Sequence, residues 1–113
     1  VLSVDIQVIK NGITISITID TTNGGNGSGA AINFSSTIDS ETSEANSLTL
    51  DSGDQDLTFG GAIGGGTNGA LGTLDLTSTS ATGLALPAIT AQSLSVSIDG
   101  ALSQTGAFTI SGT

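Results

Sequence analysis

The run Ile13-Thr14-Ile15-Ser16-Ile17-Thr18-Ile19 carries isoleucine at every second position. Period two sends the isoleucines to one face and Thr14, Ser16 and Thr18 to the other, which predicts a half-buried β-strand. Val4, Ile6 and Val8 alternate in the same way, and Asn11-Gly12 lies between the two runs. Asn-Gly flanked by alternating apolar residues suits a two-residue hairpin turn, so residues 1–19 are predicted to form two antiparallel strands. A loop with almost no side-chain mass follows, from Thr22 to Gly29.

From Ile32 onward a different pattern recurs. Four segments align: Ile32 to Ile38, Leu57 to Ile63, Leu84 to Ile89 and Leu102 to Phe108. Each reads apolar, small, apolar, then a short bend and a third apolar residue, with Gln104 replacing the second anchor in the last copy. The third anchor comes 4 residues after the second in three copies and 3 residues after it in the copy containing Pro87. A second element precedes three of the copies: Leu48-Thr49-Leu50, Leu74-Asp75-Leu76 and Leu94-Ser95-Val96, each followed by a polar turn. The first anchors Ile32, Leu57, Leu84 and Leu102 are spaced 25, 27 and 18 residues apart. Irregular periods in this range predict a solenoid whose loops vary in length while its core strands do not.

A coil of two or three short strands cannot bury its own apolar face, and stacking coils continues one core through all of them. Leu48, Leu74 and Leu94 are then expected above one another, and so are Ile32, Leu57, Leu84 and Leu102. Small residues at the bends let the backbone turn tightly, and Pro87 sits at a bend, where its missing donor costs least. The fold class is all-β: parallel β-solenoid coils over residues 30–113, preceded by an N-terminal hairpin or cap and Gly-rich loop over residues 1–29. An antiparallel β-sandwich is the alternative, since it also yields short alternating strands with turn signals.

Composition narrows the chemistry. Among 113 residues there are ten acidic and one basic, Lys10, for a formal charge of −9. Such a chain cannot neutralise phosphates, which argues against nucleic acid and anionic membrane surfaces as partners. His, Cys, Met, Trp and Tyr are absent and Arg is not used, so no disulfide framework forms. At 36% hydrophobic, with 17 glycines, the chain is apolar enough for a core and rich in turns. No stretch combines a basic region with an apolar one, so neither a signal peptide nor a membrane-inserting segment is expected, and the initial Val1 suggests a processed or excised piece.

The repeat text resembles a known class. Phe34-Ser-Ser-Thr-Ile-Asp39, Ser47-Leu-Thr-Leu50, Leu57-Thr-Phe-Gly-Gly-Ala-Ile-Gly64, Leu86-Pro-Ala-Ile89 and Gln104 to Thr113 are similar to repeat stretches of filamentous-haemagglutinin-like, two-partner-secreted and autotransporter-type bacterial exoproteins. The resemblance covers roughly residues 30–113. It implies a right-handed parallel β-helix, export to the outside or surface of a Gram-negative cell, and a role in adhesion, biofilm or surface filaments. It implies no catalytic residues.

Candidate sites are few. Without His or Cys there is no Ser-His-Asp arrangement, cysteine nucleophile or His-based metal centre. Lys10 is the only basic side chain for stabilising developing negative charge, and no Trp or Tyr offers a platform for sugar rings. No enzyme activity and no cofactor are expected. Asp51, Asp54 and Asp56 lie close together in a Gly-containing turn, a set of hard oxygen ligands suited to Ca²⁺, and Asp39, Glu41 and Glu44 form a second acidic loop. Solvated turns that keep strand edges apart are the favoured reading of both. Gly24 to Gly29 resembles the Ca²⁺-binding nonapeptide of repeat toxins, but Gly29 stands where its Asp belongs. Threonine ladders on a solenoid can bind ice. Here no Thr-x-Thr recurs in register, so Thr14, Thr18, Thr77, Thr79 and Thr82 read as ordinary exposed threonines.

Three functions are thereby expected, in descending order. The first is a rigid spacer or adhesion stalk in a bacterial surface protein. The second is a self-assembling subunit of an extracellular filament or matrix, and the third a Ca²⁺-dependent or carbohydrate-binding module. Partners would be neighbouring repeats, further copies, or host and surface glycans.

Overall fold

The computed structural model of the chain describes residues 2–3, 14–41, 44–66 and 69–112. These residues form ten β-strands and no helix. In order they are β1 (Leu2–Ser3), β2 (Ser16–Asp20), β3 (Ile32–Phe34), β4 (Ser47–Asp51), β5 (Leu57–Phe59), β6 (Leu71–Ser78), β7 (Leu84–Leu86), β8 (Ile89–Ile98), β9 (Leu102–Gln104) and β10 (Phe108–Ile110).

Successive strands alternate between sheets. The even-numbered strands make one five-stranded sheet in the order β10-β8-β6-β4-β2, while β1-β3-β5 and β7-β9 make two smaller ones. All seven ladders are parallel. The antiparallel sandwich is therefore set aside. Each strand pairs with its equivalent one repeat away, and a chain that returns by a crossover lays that strand down in the same direction.

The registers follow the repeat. Leu48 lies opposite Leu74 and Leu74 opposite Leu94, with Ile17 continuing the row on Leu48. Ile32 pairs with Leu57 and Leu84 with Leu102, two steps of the other expected column. The third anchors form a column of their own, with Ile38 on Ile63, Ile63 on Ile89 and Ile89 on Phe108. Each repeat thus contributes apolar residues at three aligned positions. Ile32, Leu50, Ile63, Leu74, Leu76, Leu86 and Ile89 are at most 1% exposed. Each such side chain gains roughly 1.5–3 kcal/mol by leaving water. Phe34 and Phe59 add a stacked pair, with centroids 6.0 Å apart and planes 9° from parallel.

Of the expected N-terminal hairpin, only residues 2–3 and 14–19 are described. β2 pairs in parallel with β4, and β1 pairs in parallel with β3 in a different sheet, so these two pieces are not partners of one another. Val4, Ile6, Val8 and Asn11-Gly12 lie outside the described residues. The parallel pairing therefore reaches upstream of residue 30, and β2 is built like the even-numbered strands that follow it. Ile17 and Ile19 point inward as Leu48 and Leu50 do, which is why the same alternation serves both strands.

Pro87 lies at a break between the two smaller sheets. Between β3 and β5 the ladder is prolonged by Gly60 N–H donating to Phe34 O at 2.6 Å, and between β7 and β9 by Thr105 N–H donating to Leu86 O at 2.8 Å. Pro87 occupies the corresponding position after Leu86 and has no N–H to donate toward the β5 coil. There the β3-β5 sheet ends and the β7-β9 sheet begins.

Candidate functional site

Strand ends, rather than strand faces, carry the most organised polar chemistry. Alternation turns Asp20 outward at the end of β2, and the chain then bends back so that donors converge on it. Its carboxylate accepts from Thr22 N–H (2.7 Å), Thr22 Oγ1–H (2.6 Å) and Gly24 N–H (3.0 Å). The Thr22 hydroxyl, then the Thr22 N–H and, more weakly, the Gly24 N–H hold the Asp20 carboxyl below the usual carboxylate range, against a small opposing desolvation. Asp51, opposite Asp20 in the ladder, repeats the device by accepting from Gly53 N–H at 2.9 Å. Short side chains that bond the backbone two residues on are the usual makers of such turns.

This arrangement has a pH signature. The folded pKa of Asp20 lies below its unfolded value, so its stabilisation is complete above the unfolded pKa of about 4 and is lost as pH falls through the folded value. The thermal midpoint should fall on acidification below about pH 4, and Asp20→Asn should flatten part of that fall. An acid profile identical in the two proteins would remove Asp20 from the account.

The acidic candidates are dispersed. Asp51 serves its own turn, Asp54 accepts from Gln55 Nε2–H at 2.8 Å, and Asp56 accepts from Ser80 Oγ–H in the next coil. Asp39 accepts from Gly66 N–H at 2.8 Å, and Glu44 lies within hydrogen-bonding distance of Asn46 Nδ2 at 3.4 Å. Among the described residues, no group of three or more carboxylates converges to hold a metal ion. Lys10 lies outside the described residues.

Two surfaces remain. The outward face of the five-stranded sheet is almost entirely hydroxyl and carboxylate. Thr18, Thr49, Asp75 and Ser95 form one row, and Asp20, Asp51, Thr77 and Ser97 another. Among the described residues threonines stack in register at two places in this sheet, Thr18 on Thr49 and Thr109 on Thr90, and Thr79 and Thr82 belong to the turn after β6. The second surface is a cleft of about 330 Å³ at the break between β5 and β7, lined by Asp56, Thr58, Phe59, Thr82, Leu84 and Ser103 among others. Its polar groups are hydroxyls and one carboxylate. They can accept and donate hydrogen bonds to a neutral polar ligand, but offer no cation to an anionic one. Neither the cleft nor the turn role of Asp20 was foreseeable from spacing alone, since one depends on a missing ladder bond and the other on a three-donor geometry.

Compared with known proteins, the chain matches no family model, no curated protein and no solved structure.

Proposed function

We propose that the chain is a run of coils of a right-handed parallel β-helix serving as a rigid, non-catalytic spacer or adhesion stalk in a bacterial surface or secreted protein. The observation that carries the reading is the uninterrupted parallel ladder from β2 through β4 and β6 to β8. Along the five-stranded sheet each repeat pairs with the one before, so length grows by about 4.8 Å per repeat. Crossovers between parallel strands of one sheet are overwhelmingly right-handed, which supports the hand. A stack of this kind resists bending because each coil shares its core and its backbone hydrogen bonds with two neighbours. The resemblance of residues 30–113 to bacterial exoprotein repeats supports an extracellular setting.

A second reading rests on the last coil. Leu102 is 54% exposed and Ile110 44%, and β10 covers only Ile89 to Ala91 of the long strand β8. An open parallel edge of this kind is the element by which copies of a filament subunit would join.

One experiment separates the readings. The chain has no cysteine, so Thr18→Cys and Ser103→Cys, both exposed, accept spin labels cleanly. A rigid spacer gives one narrow distance distribution, unchanged by Ca²⁺ or soluble glycans and by protein concentration. A broad distribution overturns the stalk. A second, concentration-dependent distance moves the assignment to the filament, and a Ca²⁺- or glycan-dependent shift moves it to a binding module.

A further inference from the structure

We propose that Asn23 is a latent deamidation site and that the Asp20 carboxylate guards it. The reaction needs no enzyme. The backbone nitrogen of the following residue attacks the asparagine Cγ and loses its proton to solvent base. The side-chain nitrogen then leaves as ammonia, closing a five-membered succinimide. Water next opens that ring at either carbonyl, giving aspartate or isoaspartate. Glycine in the following position offers the least hindered nucleophile because it has no Cβ.

Asn-Gly occurs at Asn11, Asn23, Asn26 and Asn68. The structure describes both residues of two of these pairs, Asn23-Gly24 and Asn26-Gly27. Both lie in the exposed loop that leads from β2 to β3, and Asn23 sits in the left-handed region at φ 56. They differ in what holds the attacking nitrogen. Gly27 N–H donates to the backbone carbonyl of Thr22 at 2.7 Å, and the Asn26 amide is itself tied to Asn23 O at 3.0 Å. Gly24 N–H is held by a side chain, Asp20 Oδ2, at 3.0 Å.

That bond restrains the reaction in two ways. It fixes the Gly24 nitrogen in the turn, directed at the carboxylate, and it places a negative charge beside an N–H that must become more acidic before it can attack. The charge-assisted bond is the stronger kind, so its loss should matter. Conversion of Asn23 would add a negative charge to the loop. Its isoaspartate form would also lengthen the backbone by one carbon, between ends that Thr21 Oγ1 and Ala30 hold together.

The test is site-resolved peptide mapping of the purified chain, following the one-unit mass gain at Asn23 and Asn26 during incubation at neutral pH. Asp20→Ala should raise the rate at Asn23 by about five- to tenfold and leave Asn26 nearly unchanged, because the Gly27 bond is made by backbone alone. Asn23→Ala should abolish the gain at that position. An unchanged rate at Asn23 overturns the proposal, and so does an equal rise at both sites, which would mean that the loop had merely loosened. If Asp20→Ala does not fold, Asp20→Asn keeps an acceptor for Thr22 and gives the same comparison without the charge.

Discussion

Replacing Leu74 with alanine should destabilise the chain by about 3–4 kcal/mol, within the range for deleting a fully buried leucine side chain. Leu74 is 0% exposed and sits mid-row, with Leu48 on one side and Leu94 on the other. Its strand, β6, is the central strand of the five, so the cavity cannot be filled by movement at an open end. The same truncation at Leu94 should cost less than half as much, because that side chain is only half-buried and no strand lies opposite it on β10. Urea denaturation measures both, and a lowered midpoint with unchanged slope reports stability alone. A loss of this size is a large share of the roughly 5–15 kcal/mol that holds a domain together. Equal losses at Leu74 and Leu94 would contradict a core that runs along the five-stranded sheet and thins toward β10.

The column of Leu74 was legible in the sequence because leucines at 48, 74 and 94 share a small-residue context that recurs from one repeat to the next. The third anchors Ile38, Ile63, Ile89 and Phe108 were legible for the same reason, including the shortened spacing at Pro87. What Pro87 does was not legible. A missing N–H matters only where a neighbouring strand would accept from it, and this is a property of two strands rather than one segment. The parallel partner of β2 was hidden from the opposite cause. Ile13 to Ile19 alternates as a hairpin strand would, but period two is equally the signature of a coil strand, and local pattern does not name the partner. The lengths of β6 and β8 were underestimated as well. Polar residues such as Thr77, Ser78 and Ser97 carry a turn-like local pattern, yet they continue the ladder because the neighbouring strands supply hydrogen bonds that the local sequence does not announce. The candidate Ca²⁺ turn shows the limit for sites, since three nearby carboxylates in sequence were drawn to three different donors.

Gly64→Ala should be among the most damaging single-methyl additions, costing about 3 kcal/mol or more through strain and overpacking together. Gly64 follows the buried corner residue Ile63, adopts φ +69, and donates its N–H to Ile38 O at 2.6 Å. A Cβ there would overlap the carbonyl oxygen of Thr90 in the next coil and lie 3.3 Å from the Leu71 nitrogen. Both are backbone atoms within the parallel stack, so neither can swing aside as a long side chain would. Gly25→Ala supplies the contrast. Gly25 has φ +85, also left-handed, but nothing lies within 4 Å of its added Cβ. That substitution should carry the conformational penalty alone, about 1 kcal/mol. The difference between the two melting shifts therefore isolates how closely one coil approaches the next. If Gly64→Ala and Gly25→Ala lowered the midpoint equally, the close backbone contact at this corner would be absent in solution and the tight coil spacing on which a rigid stalk depends would fail with it.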